Sequence, residues 1–168
     1  LAGNETTASL SFVIDTLAPT LAVQVNPVDD ADTRDSTNTI NWVTSADSIT
    51  GVQRHQIQID TRGLFTYMIV DSSAALQIDT KFTFPVNETY YWRIISYDDA
   101  GNSVTTGIDS FTIDTMVPTV AVLTNPADQS GTKAVSIQFR WTTGADSISR
   151  FQKHQIQVDT AGIFATGS

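Results

Sequence analysis

The chain has 168 residues, with nine Lys and Arg against eighteen Asp and Glu and no cysteine. A net charge of −9 repels phosphate backbones and anionic lipid heads, which makes nucleic acid and membrane surfaces poor partners. The missing thiols exclude disulfides, thiolate metal sites and cysteine nucleophiles, and no apolar run approaches the roughly 20 residues of a membrane helix.

Thr, Ser, Asp, Val and Ile are abundant, so the composition favours pleated strands and an all-β fold. Period-two alternation then marks the strands in chain order. Leu21, Val23 and Val25 share one face of the first strand, Ile40 and Trp42 one face of the second, and Ile57 and Ile59 one face of the third. Residues 64–70 and 76–84 supply two more. Tyr90, Trp92, Ile94 and Ser96 alternate along TYYWRIIS, and Phe111 and Ile113 close the set in SFTIDT. Turn residues separate several of these runs: Asn26-Pro27, Asp60 to Gly63, Pro85 to Glu88 and Asp99 to Asn102.

The chain also repeats itself. Trp42 returns as Trp141, 99 positions on, and the same shift carries Asn26-Pro27 onto Asn125-Pro126 and Ala46-Asp47-Ser48-Ile49 onto Ala145-Asp146-Ser147-Ile148. Asp15-Thr16 maps onto Asp114-Thr115, and no insertion interrupts the register from Asp15 onward. A repeat near 100 residues is too long for a solenoid turn or a propeller blade and matches one immunoglobulin-like sandwich of seven strands. Residues 1–15 are therefore expected to be the C-terminal strand of a preceding module, 16–115 a complete β-sandwich, and 116–168 the N-terminal half of a following one. Because Leu1 stands where an initiator Met would, the chain is expected to be a piece of a longer protein that continues past Ser168.

Residues that carry chemistry are sparse. His55 and His154 occupy equivalent places in HQIQIDTRGLF and HQIQVDTAGIF, no serine elbow or acid pair flanks either, and alternation points His55 toward the tryptophan; a packing role is expected, with no catalytic residue. The acidic run VDDADTRD, Val28 to Asp35, lacks the glycine and terminal glutamate of a calcium loop and reads as a solvated loop. Asn4-Glu5-Thr6 and Asn87-Glu88-Thr89 fit the N-glycosylation triplet. Tyr91, Arg93, Ile95 and Tyr97 form the other face of the Tyr90 strand, an expected contact surface. In a seven-strand sandwich the entering chain and the loops after the second and sixth strands share one pole. Asp15, Asp47, Asp98, Asp99 and Asn102 are thereby candidates for a calcium site, set against turn capping by the same side chains.

Trp42, the apolar third strand, TYYWRIISYD and DDAGN followed by FTIDTMVPT together resemble the tandem fibronectin type III and bacterial immunoglobulin-like modules of surface proteins. The resemblance implies that Tyr90 is a corner tyrosine whose hydroxyl ties back to the preceding loop, although Pro85-Val86 replaces the family's leucine. It implies an extracellular or cell-surface location and a structural use: a spacer or assembly module of an adhesin, surface layer, sheath or stalk. Its partners would be neighbouring modules, or copies of itself in a filament or lattice. The alternative is a module that binds carbohydrate or protein, accessory to a secreted polysaccharide-degrading enzyme.

Overall fold

The structure is a computed structural model and describes residues 3, 6–68, 70–74 and 79–160. Among these residues there is no helix. Eleven strands follow one another: β1 Val23–Asn26, β2 Ala31–Thr33, β3 Thr37–Val43, β4 Val52–Asp60, β5 Val70–Ala74, β6 Asp79–Thr83, β7 Glu88–Asp98, β8 Ser103–Thr105, β9 Asp109–Ile113, β10 Val122–Asn125 and β11 Arg140–Thr142. The chain divides into two compact units, Leu1–Thr115 and Met116–Ser168.

In the first unit β1, β3 and β6 form a three-stranded antiparallel sheet. The second sheet runs β2-β9-β7-β4-β5, with β8 beside the far end of β7, and is antiparallel except where β2 lies parallel to β9. One apolar core joins the two sheets: Ile40 and Trp42 from β3, Ile57 and Ile59 from β4, Tyr90, Trp92 and Ile94 from β7, and Phe111 and Ile113 from β9. Each buried side chain of this size is worth about 1.5 to 3 kcal/mol of apolar transfer. Phe84, Tyr90 and Phe111 form an aromatic cluster with ring centroids 4.9 to 5.4 Å apart. The Tyr90 hydroxyl donates to the Pro85 carbonyl oxygen at 2.7 Å, so the expected tie to the preceding loop is present despite the altered sequence there.

The first strand is turned over relative to its apolar pattern. Leu21, Val23 and Val25 do share a face, but it is the outer one, and Ala22 is buried in the core instead. Gln24 also points inward, and its amide donates to the Trp92 carbonyl at 3.1 Å, which meets the hydrogen-bond demand of a polar group facing the core.

Two further expectations change. Residues 64–68 form bends rather than a strand, because Gly63 and Phe65 both take positive φ and a strand cannot accommodate them; β5 begins only at Val70. The expected strand over 76–84 is described from Asp79, while 75–78 and Asn4-Glu5 of the first glycosylation triplet lie outside the described residues. The acidic run after Val28 is more than a solvated loop. It contains β2, and Asp29 accepts hydrogen bonds from both the Ser110 N–H and its hydroxyl, 2.8 and 3.1 Å away, which anchors the run to β9.

The described part of the second unit repeats the first strand pair of the first, while 151–159, the counterpart of β4, form no strand. β10 pairs with β11 through Val122 and Thr142, Leu123 and Trp141, Asn125 and Arg140, the β1–β3 register with the same irregularity one residue before the asparagine. Trp141 meets His154 edge-on at 5.8 Å and 72°, as Trp42 meets His55 at 5.7 Å and 74°.

Candidate functional site

The residues singled out in the sequence fall into two places on the first unit, a pole and a sheet face. At the pole, the β7 alternation decides which of two adjacent acids turns inward: Asp98 is buried at 1 % exposure, whereas Asp99 lies exposed in the turn. That turn reverses through Gly101 at φ +94, a conformation only glycine takes without strain. Its Asn102 then folds back, giving its N–H to Asp98 Oδ1 at 2.8 Å and its Nδ2 to Asp98 Oδ2 at 2.9 Å.

Asp47 lies in the loop after β3. Its Oδ1 accepts the N–H groups of Ile49, Thr50 and Gly51 at 2.9, 2.9 and 3.0 Å, an Asx-type cap. The Ile49 and Thr50 bonds foremost hold its pKa below the ordinary aspartate value.

Asp15 arrives on the entering segment. Its Oδ1 accepts from Leu17 N–H at 2.9 Å, its Oδ2 from the Thr50 hydroxyl at 2.6 Å, and its carbonyl oxygen from Asn102 Nδ2 at 3.2 Å. A second pair fastens the same segment five residues on, where Thr20 N–H meets the Ala46 carbonyl at 2.9 Å and Ala46 N–H meets the Thr20 hydroxyl at 2.8 Å. The entering chain is thus sewn to both loops of the pole.

Three of the five predicted ligands come together. One carboxylate oxygen from each of Asp15, Asp47 and Asp98 lies within 4.8 Å of the others. Asp99 lies outside this group, and Asn102 turns its donor nitrogen, not its oxygen, toward it. Like charges this close repel one another, and either the surrounding N–H and O–H donors or a hard, oxygen-preferring cation offsets that repulsion. The second unit repeats part of the arrangement. Thr119 and Ala145 exchange the same two bonds at 2.8 and 2.7 Å, and Asp146 caps Ile148 and Ser149 at 3.0 and 3.1 Å.

Tyr91, Arg93, Ile95 and Tyr97 do line one face of β7, half-buried. Their neighbours already engage them. The Arg54 guanidinium covers the Tyr97 ring at 3.7 Å, and the Tyr97 hydroxyl donates to Gln56 Oε1 at 2.9 Å. Arg93 stacks over Phe65 at 4.1 Å and donates to Gln58 Oε1 at 2.8 Å. Tyr91 lies against Gly63, where an added Cβ would meet the ring at 3.3 Å. Cation–π and amide contacts thus run along a face whose four side chains stay half-buried.

The histidine reading by alternation understates its polar side. His55 is fully buried against Trp42, and both ring nitrogens meet hydroxyls at 3.0 Å, Nδ1 at Ser96 and Nε2 at Thr44. Ser96 is 1 % exposed, so this serine–histidine pair has no approach for a substrate. Asn87 of the second glycosylation triplet uses Oδ1 to hold the N–H and hydroxyl of Thr115 at 2.9 and 3.1 Å, tying down the exit of the unit.

No family model matches this sequence, and no curated protein matches it. Among solved structures it is similar to a β-1,2-glucanase from Parabacteroides distasonis, at 16% identity and a TM-score of 0.42 over 64% of this chain. The chain spans 14% of that protein's length.

Proposed function

We propose that the chain is a run of tandem immunoglobulin-like modules of the fibronectin type III kind, serving as a structural spacer or assembly segment of a long extracellular or cell-surface protein, without catalysis of its own. The observation that carries this reading is the fastening of the entering segment. Asp15 and Thr20 are hydrogen-bonded to both pole loops, and the Thr20–Ala46 exchange recurs at Thr119–Ala145. A freely jointed linker needs no such bonds. Pro19 and Pro118 stand at corresponding junctions, and each fixes one backbone angle. These bonds lie within the first and within the second unit, and they order the segment that leads into each. Amide exchange of the full chain tests this: the N–H groups of Leu17, Thr20 and Thr119 are expected to be protected. Exchange at the rate of an unstructured peptide would overturn it.

The Asp15, Asp47 and Asp98 carboxylates belong to the same reading. They suit calcium, which takes six to eight oxygens at about 2.3 to 2.6 Å, and a bound ion would cross-link the junction to both loops. Thermal melting with millimolar calcium and then with chelator tests this. The expected result is a rise in midpoint that Asp98→Ala abolishes; an unchanged midpoint removes the ion and leaves the hydrogen-bonded clamp.

A binding role is the second reading, favoured by a concavity of about 380 Å³ lined by Asp60, Thr61, Arg62, Leu64, Thr66 and Tyr67. Tyr67 is 85 % exposed there and offers a stacking surface for a sugar ring. A glycan array with the full chain and with Tyr67→Ala decides it, and the absence of any reproducible signal counts against it.

A further inference from the structure

We propose that the Thr44–His55–Ser96 chain is an acid-sensitive lock between the two sheets, strongest while the imidazole carries one proton and weakened when it takes a second. The lock rests on one tautomer of the ring. Thr44 has a single hydroxyl hydrogen, and it goes to the Ser45 carbonyl at 3.2 Å. With that hydrogen on the Ser45 carbonyl, Thr44 Oγ1 accepts from His55, which places a proton on Nε2 and leaves Nδ1 to accept from the Ser96 hydroxyl, the arrangement we assign. The lock spans the core, because Thr44 follows β3 of one sheet while His55 and Ser96 belong to β4 and β7 of the other.

A second proton has one destination, Nδ1, at the buried end. Ser96 must then reverse its bond, accepting from Nδ1–H, and turn its own hydrogen away inside the core, where the ring's new charge is also buried. Among the described residues no charged side chain is hydrogen-bonded to the ring. β3 contributes the neutral Trp42 ring, and β5 sets Ala74 opposite in register. On β4, Arg54 points to the other face, over Tyr97; on β7, the Asp98 carboxylate bonds to Asn102 rather than to the ring. Burial by itself lowers the His55 pKa below 6.5. A lowered folded value means the unfolded chain binds more protons, so stability is fully present above about 6.5 and declines as pH falls toward the folded value.

The test uses the full chain. Urea unfolding from pH 7.5 to 5.5 is expected to show the unfolding constant rising by up to about tenfold per pH unit below 6.5. His55→Gln, which keeps a donor and an acceptor but cannot titrate, is expected to flatten that slope, while His154→Gln is not. Long-range proton–nitrogen NMR of the wild-type chain is expected to show His55 protonated on Nε2 alone and titrating below its ordinary value; this measurement decides the matter if His55→Gln fails to fold. A slope unchanged in folded His55→Gln, or a His55 that titrates at or above 6.5, would overturn the proposal.

Discussion

Asn102 donates from Nδ2 to the carbonyl oxygen of Asp15 at 3.2 Å, joining positions 87 residues apart. The same nitrogen bonds Asp98 Oδ2, so one amide ties the entering segment to the end of β7. Asn102→Ala should free the junction while leaving the core intact. Amide exchange of Leu17 and Thr20 is expected to accelerate, with a loss of about 1 kcal/mol in overall stability. Unchanged exchange at both residues would show that the Thr20–Ala46 pair alone holds the segment.

Trp42 is 2 % exposed and Tyr90 1 %, yet their losses should differ. Trp42→Ala removes a whole core side chain and should cost about 3 to 5 kcal/mol through the cavity it leaves. Tyr90→Phe keeps the ring in its aromatic cluster and removes only the bond to Pro85, a loss of about 0.5 to 1.5 kcal/mol. Denaturant midpoints of the two variants should separate clearly.

Asp109 works against folding at neutral pH. Burial first, and the nearby Asp29 carboxylate second, raise its pKa above the ordinary aspartate value. The folded state therefore holds this proton more tightly than the unfolded one, and the penalty shrinks as pH falls through the raised value toward about 3.8. Asp109→Asn should raise the melting temperature at pH 7, with little effect near pH 3.5.

Asp47 has the opposite sign. Its lowered pKa contributes stability above about 3.8 that is lost as pH falls through the folded value. Asp47→Ala should lower the midpoint at pH 7 by removing a cap from three N–H groups, and the difference from wild type should narrow below pH 3.8. A difference independent of pH would point to steric loss of the turn instead.

Gly63 takes φ +66 against the Tyr91 ring. Gly63→Ala should cost about 1 kcal/mol or more, since the new methyl meets both a disfavoured backbone region and the ring. An unchanged melting temperature would show that the 60–65 turn adapts freely.

The sequence by itself determined the things that rest on spacing. The 99-residue offset places Trp42 over Trp141, and the structure carries it into matching strand registers. Alternation along TYYWRIIS grouped Tyr90, Trp92, Ile94 and Ser96 on one face, and the grouping holds along the whole strand because β7 is long and lies in the middle of its sheet. It also led Asp98 to the pole where Asp15 and Asp47 meet it.

Tertiary structure alone decided which face of a strand is the inner one. Period two shows that Leu21, Val23 and Val25 share a side, but three valines and leucines carry no label for core or solvent, and the choice fell to Ala22 and to a Gln24 amide that finds the Trp92 carbonyl. β2 was equally hidden, since its three residues ADT have no apolar alternation and gain strand form from the neighbouring β9. The ladder over Tyr97 and Phe65, and the two hydroxyls on His55, depend on side chains 11 to 43 positions apart. Contacts of that range are set by how the sheets pack, which no local pattern records.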